Sequence, residues 1–301
     1  MPIVIPKDIP AYSKLLQENI FVMSNERAYT QDIRPLEIAL LNLMPTKIET
    51  ETQFIRLLSN SPLQVNITLI NTKTYKSKNT SSEYLDKFYK SFEDIKDKHF
   101  DGMIITGAPV ETMNFEEVKY WNELKKIFDF ANTNVTSTIY ICWGAQAALY
   151  YYYGIKKKEV PEKIFGVFPH IKNEELHEPL FKGVDDVFYI PHSRHTTVDI
   201  EDVKKINDLT ILSETEYTGL SIAKSKDNKK IFLTGHMEYD RDTLKNEYER
   251  DVKKGLKIKP PFNYFTDETN TKVNTKWSST ANLFYTNWLN YYVYQVTPFH
   301  F

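Results

Sequence analysis

Ile139-Tyr140-Ile141-Cys142-Trp143-Gly144-Ala145-Gln146-Ala147-Ala148-Leu149 is the stretch that decides the fold. An apolar run stops at a cysteine, and small residues follow at once. The pattern predicts a buried strand, a sharp turn and a helix that packs closely. Cys142 then stands at a helix N-terminus, where peptide dipoles favour an anion. The thiolate is the nucleophilic form of cysteine, so this elbow is where a reactive thiol belongs. A buried structural thiol is the competing reading, because free cysteine is among the most buried residue types.

Working outward, strands alternate with helices. Residues 36–44 are a near-continuous apolar run, as expected of a strand buried on both faces. Pro45-Thr46-Lys47-Ile48-Glu49 opens a helix, with Thr46 and Glu49 at capping-box spacing. Residues 63–70 read as a second strand, 71–82 as an exposed loop and 83–95 as a helix. A third strand at 103–106 ends in Gly107-Ala108-Pro109, and 115–131 is an amphipathic helix. The strand at 138–141 is the fourth. This order predicts right-handed βαβ units and a parallel sheet.

The flanks read differently. Residues 1–34 look irregular, with a short helical possibility at 12–18, and 166–195 is broken by Pro169, Pro179 and Pro191. Residues 219–224 and 230–234 form a hairpin around Asp227-Asn228. A charged helix at 241–254, a polar loop at 260–276 and an aromatic helix at 278–295 complete the chain. Phe284, Trp288, Tyr291 and Tyr292 of that helix suit core packing, with a subunit contact as the alternative. No internal repeat or Gly/Ser linker divides the 301 residues, so a single compact unit is expected.

Composition narrows the function classes. Lys and Arg total 38, Asp and Glu total 40, and no polybasic arm is present, which argues against nucleic acid as a partner. The short clusters Lys156-Lys157-Lys158 and 253–259 read as solvated surface. One cysteine rules out an intrachain disulfide and fits a reducing cytoplasm. The first residues lack the basic-then-apolar layout of a signal peptide. The most membrane-like stretch, 139–155, contains Gln146 and is short against the ~20 residues of a bilayer span. The expectation is a cytoplasmic protein with no membrane partner.

A nucleophilic cysteine needs a base and a group that orients it. Among seven histidines, His236 ends the apolar run Ile231-Phe232-Leu233, as Cys142 ends its own. Parallel sheets carry their sites at the C-terminal strand ends. Glu238 lies two positions on, and residues i and i+2 of an extended chain face the same way. A His-x-Glu pair alone is common on surfaces; joined to the elbow it points to a Cys142–His236–Glu238 triad. His192 and His195 have the spacing of a metal pair, but no further ligands cluster with them, so loop hydrogen bonding is preferred and no metal is expected. His170, His177 and His300 read as incidental. For an oxyanion, the backbone N–H of Trp143 and the turn at Gly107 and Ala108 are the candidate donors.

With these residues in place, the chain resembles the homoserine O-acyltransferases of methionine biosynthesis. The resemblance spans nearly the whole chain and is densest from Arg34-Pro35-Leu36-Glu37 to Leu43-Met44-Pro45 and on to Pro62-Leu63-Gln64-Val65. Thr106-Gly107-Ala108-Pro109-Val110-Glu111, Cys142-Trp143-Gly144-Ala145-Gln146-Ala147, Pro191-His192-Ser193-Arg194 and Gly235-His236-Met237-Glu238-Tyr239 carry the rest. The resemblance implies an α/β, class I glutamine-amidotransferase-like (flavodoxin-like) fold, mostly parallel, with helices on both faces. In that frame 1–34 is an N-terminal extension, 35–240 the core and 241–301 a C-terminal helical part.

It also implies ping-pong acyl transfer from an acyl-CoA to the hydroxyl of L-homoserine through an acyl-cysteine. The homoserine contacts fall on Lys163, Ser193 and Arg250. Read without the family, Lys163 and Arg250 are ordinary surface charges. In the family a glutamate at the position of Glu111 goes with acetyl-CoA, and a glycine goes with succinyl-CoA. A succinyl carboxylate would meet the charge of Glu111 and lack room beside it. Acetyl-CoA as co-substrate, no cofactor and a homodimer are therefore the expectations. The alternatives are a succinyltransferase, an amidotransferase or cysteine hydrolase with the same triad, and a non-enzymatic redox sensor that makes no demand on His236 or Glu238.

Overall fold

The computed structural model describes residues 3–18, 22–25, 34–74, 79–172 and 176–297. His300 and parts of the 1–34 and 71–82 segments lie outside the described residues. The strand leading to Cys142, β7 (Val135–Ile141), is central and almost wholly buried. Its neighbours are β6 (Phe100–Ile105) and β12 (Lys230–Leu233), both parallel to it. Beyond β6 come β3 (Leu36–Leu41), β4 (Val65–Ile70), β1 (Ile3–Val4) and β2 (Val22–Met23), all parallel, with β5 (Tyr89–Lys90) also on β4. Beyond β12 the antiparallel β11 (Gly219–Ser225) and β10 (Leu209–Thr215) close the sheet. The hairpin expected at Asp227-Asn228 joins β11 to β12, with Asn228 at φ 63°.

Helices cover both faces, as the alternating pattern predicts. On one face α1 (Pro10–Gln17), α2 (Lys47–Ser59) and α8 (Ser278–Asn287) share a core with Ile38, Ile104 and Ile139. On the other, α4 (Trp121–Asn134) and α5 (Trp143–Tyr153) pack on Ala39, Ile105 and Tyr140. The short helices α3 (Ser82–Phe88) and α6 (Ile200–Lys204) lie in connections. A ribbon of β8 (Lys157–Ile171) and β9 (Val187–Val198) stands apart from the sheet and packs with α7 (Thr243–Lys253) around Tyr264 and Trp277.

Several elements depart from the sequence reading. The 1–34 segment is not all irregular: Ile3–Val4 and Val22–Met23 add to the sheet edge, and α1 realises the expected short helix. Runs of two residues are too short to show strand periodicity. The proline-broken 166–195 segment carries facing parts of a two-stranded ribbon instead, β8 ending at Ile171 and β9 starting at Val187, with Pro179 opening a short turn between them; Pro169 and Pro191 are tolerated because a two-stranded ribbon leaves one side of each strand outside its ladder. The helix expected at 83–95 stops at Phe88, where Tyr89 and Lys90 turn extended and pair with β4, and the Tyr89 hydroxyl donates to Glu51 at 2.7 Å. The helix expected at 115–131 begins only at Trp121. Before it, Asn114 and Glu117 box a separate turn, and Phe115 stacks on Trp121 and Tyr150. Thr46 caps α2 in position but makes no side-chain cap bond, so the Thr46–Glu49 box does not form. Phe284, Trp288 and Tyr292 are core residues, Trp288 and Tyr292 within a π-helical turn, Trp288–Tyr294, that extends α8. No helix among the described residues is long and apolar enough to cross a membrane.

Candidate active site

Cys142 holds a backbone conformation of φ 50°, ψ −115° between β7 and α5. A non-glycine residue there is strained, and such strain persists only where the surroundings impose it. They do so here: the Cys142 N–H donates to Leu233 O at 2.7 Å, and Gln146 N–H donates to Cys142 O at 3.1 Å. Gly144 lets α5 descend onto β6, since a Cβ there would lie 2.7 Å from Thr106 O. The backbone N–H of Trp143, first residue of α5, has no carbonyl one turn back within the helix.

Parallel pairing of β7 with β12, Ile141 against Leu233, brings the two strand ends side by side. His236 therefore reaches Cys142. A Cβ placed on Gly107 would lie 3.2 Å from Cys142 Cβ, 3.8 Å from Cys142 Sγ and 3.6 Å from His236 Cε1. Thiol, imidazole and the Gly107 turn thus meet at one point. His236 Nδ1 lies 2.7 Å from Glu238 Oε1, and both side chains are buried. Burial opposes the His236 charge, but the adjoining Cys142 and Glu238 outweigh it and hold the imidazole well above its ordinary pKa. Gly235 makes the turn possible: a Cβ there would fall 2.4 Å from Ile190 Cγ2. The His236 N–H then donates to Pro191 O at 2.7 Å, which ties the triad to β9.

One cavity of about 570 Å³ is lined by Cys142, His236, Glu238, Gly107, Ala108 and Glu111, and equally by Lys163, Ser193 and Arg250. The sequence candidates therefore share a single space. Lys163 and Arg250 are not idle surface charges. Lys163 Nζ and Ser193 Oγ each donate to Glu247 Oε1 at 2.7 Å, with Arg250 Nη2 at 3.5 Å from the same atom. Arg250 Nε also donates to Asp251 Oδ1 at 2.8 Å. Glu247 is the residue that sequence reading missed. Its spacing from Arg250 and Asp251, i to i+3 and i+4 on one helix face, is the signal that was available. Tyr239 was missed as well; it stacks on His236 at 4.2 Å and 12°.

Glu111 does not point freely to solvent. Its Oε2 accepts the His195 N–H at 2.8 Å and lies 3.4 Å from Thr196 Oγ1. The Thr196 hydroxyl also donates to Gln146 Oε1 at 2.8 Å, which links Glu111 to the nucleophile helix. Lys157 Nζ holds the loop from below through the carbonyls of Glu111 and Met113. Among the described residues the fully buried Arg194 donates only to the carbonyls of Thr196 and Thr218. Burial pushes its guanidinium down to about 10, against the pull of Cys142 and Glu111, so it stays charged.

His192 and His170 correct the sequence reading. Both are buried in the ribbon and stack at 5.6 Å, so His192 does not sit in the expected hydrogen-bonding polar loop and His170 is not incidental. Among the described residues neither nitrogen of His192 has a hydrogen-bond partner. Burial holds both imidazoles neutral, with Arg194 adding to the effect. His195 is exposed and His177 lies at the surface. Among the described residues no group of three or more His, Cys, Asp or Glu side chains is placed to hold a metal ion.

A parallel α/β sheet with a thiol elbow at one strand end and a His-x-Glu turn at the next defines the class I glutamine-amidotransferase-like architecture. Solved structures agree: a glutamine amidotransferase from Thermotoga maritima superposes with TM-score 0.56 at 14% identity, over 85% of this chain and 98% of that one. A second, from Methylobacillus flagellatus, gives 0.52 at 12% identity, over 86% and 95%. Within that architecture the chain belongs to the homoserine O-succinyltransferase family, whose model matches residues 2–299. It is 57% identical to a homoserine O-acetyltransferase of Shouchella clausii, over 100% of this chain and 97% of that protein. It is 59% identical to the homoserine O-acetyltransferase of Clostridium acetobutylicum, over 99% of each.

Proposed function

We propose that the protein transfers an acetyl group from acetyl-CoA to the γ-hydroxyl of L-homoserine through an acetyl-Cys142 thioester. The observation that carries this reading is the shared cavity, lined at once by Cys142, His236 and Glu238, by Glu111, and by the Lys163–Ser193–Glu247–Arg250 cluster. The raised pKa of His236 favours a resting pair with the proton on the imidazole. Cys142 Sγ attacks the thioester carbonyl, and the backbone N–H groups of Trp143 and the Gly107 turn face the developing oxyanion. CoA leaves as a thiol, taking the His236 proton. Exchange of one thioester for another is nearly balanced in free energy, which suits a thiol nucleophile.

Homoserine then enters on the α7 side. Arg250 pairs with its carboxylate, and Glu247, already the acceptor for Lys163 and Ser193, takes its ammonium. Neutral His236 removes the γ-hydroxyl proton as the oxygen attacks the acetyl carbonyl, and the C–S bond then breaks to release the ester and the Cys142 thiolate beside the protonated imidazole. Glu238 orients the ring and balances the imidazolium. Glu111 favours acetyl over succinyl by charge and by volume. The reading treats acetyl-CoA as co-substrate, needs no cofactor or metal, and places the enzyme in the cytoplasm as a homodimer.

Incubation with acetyl-CoA or succinyl-CoA in the absence of homoserine tests this. Intact mass is expected to show an acetyl adduct that hydroxylamine removes and that the Cys142→Ala protein never forms. No adduct from either donor overturns the scheme.

A further inference from the structure

A second cavity, of about 310 Å³, opens beside the Cys142 cavity, and the two share Met44, Pro45 and Pro109 as a common wall. It lies beyond the C-terminal ends of β3, β4 and β6, where open parallel sheets bind ligands. Its volume is within the range of small-molecule sites, roughly 300–1,000 Å³. Leu43, Val110, Met113, Val118 and Tyr120 give it a largely apolar lining, with Asn71 and Thr72 as polar groups.

Charge separates the two cavities. The Cys142 cavity is lined by Glu49, Glu111, Glu238, Glu247 and Asp251, and the Lys163 and Arg250 cations beside them are already paired with Glu247 and Asp251. Acids outnumber cations there, which disfavours a ligand carrying several phosphates. Among the described residues the second cavity is lined by no carboxylate and by two lysines, Lys47 and Lys119, with Lys119 exposed. The loop that divides them works on both sides. Gly107, Ala108 and Glu111 face the thiol cavity, while Val110 and Met113 face the second one. Lys157 fixes that loop through two of its carbonyls.

We propose that the second cavity takes the pantetheine arm of the acyl-CoA donor, with the thioester crossing the shared wall to Cys142 and the phosphates lying outward toward Lys119. The inference rests on the acyl-CoA reading given above. It places the two substrates on opposite sides of the thiol. CoA then departs without crossing the ionic cluster that receives homoserine.

The test compares two donors on one protein. Acetyl-CoA carries the whole arm, whereas S-acetyl-N-acetylcysteamine carries only its thioester end. Met113→Trp narrows the cavity and Lys119→Glu reverses the rim charge; both positions are exposed, so the fold tolerates them. The double variant is expected to lose about tenfold in the kcat/KM ratio of acetyl-CoA to the short thioester. A ratio equal to that of the wild type overturns the inference, provided wild-type Cys142 is acetylated by acetyl-CoA. Failure of wild-type acetylation overturns the acyltransferase reading itself, and the inference with it.

Discussion

Replacing Glu111 separates charge from volume in donor choice. The Glu111 carboxylate is fixed by the His195 N–H at 2.8 Å and lines the thiol cavity. A succinyl carboxylate placed ~4 Å from it costs about 4 kcal/mol at an effective dielectric near 20. That is an upper value of roughly a thousandfold in rate. Glu111 is only half-buried, so water screening brings the expectation to about 2 kcal/mol, or roughly thirtyfold. Glu111→Gln removes the charge and keeps the volume; Glu111→Gly removes both. Because Lys157 holds the loop through backbone carbonyls, neither change releases it. In a competition of equal acetyl-CoA and succinyl-CoA for homoserine, the succinyl-to-acetyl product ratio is expected to rise in the order wild type, Gln, Gly. An unchanged ratio in Glu111→Gly refutes the electrostatic and steric argument together.

Glu247→Gln keeps an acceptor for Lys163 and Ser193 but loses the charge that receives an ammonium; the KM for homoserine is expected to rise about tenfold or more, with formation of the acetyl adduct unchanged. Equal loss in both half-reactions would make Glu247 merely structural. Glu238→Gln is expected to lower kcat by roughly 10²-fold with little change in homoserine KM, measured at saturating donor; a wild-type kcat would remove Glu238 from the mechanism. His170, whose buried imidazole is pushed down to about 3, stays neutral in the folded protein while the unfolded chain takes up a proton below its ordinary value of 6.5. Acidification from pH 6.5 to 5 therefore favours unfolding, by up to about 1.4 kcal/mol per pH unit from this residue. Urea midpoints should fall over that interval, and His170→Phe should flatten the slope; an identical slope in the variant would show that His170 does not titrate this way.

Local pattern carried much of this protein. The elbow at Cys142 was legible because an apolar strand, a turn and a small-residue helix are contiguous in sequence. The His236-x-Glu238 pair was legible because two positions of extended chain share a face. The hairpin at Asp227-Asn228 and the parallel core followed from turn chemistry and alternation. The strands at Ile3–Val4 and Val22–Met23 were not legible, since two residues have no period, and the β8–β9 ribbon was hidden by prolines that an unpaired strand side accommodates.

Only the tertiary structure decided which of these residues meet. Ladder pairing of β7 with β12 sets Cys142 beside His236, a register that depends on every residue between them folding correctly. Docking of α7 against the ribbon turns Lys163, Ser193 and Arg250 toward Glu247, which local sequence marks only as one acid among many. The second cavity exists because loops after three different strands end side by side. The sequence determines chemistry where neighbours in the chain are neighbours in space. Where contacts join distant segments, sheet order and packing determine it.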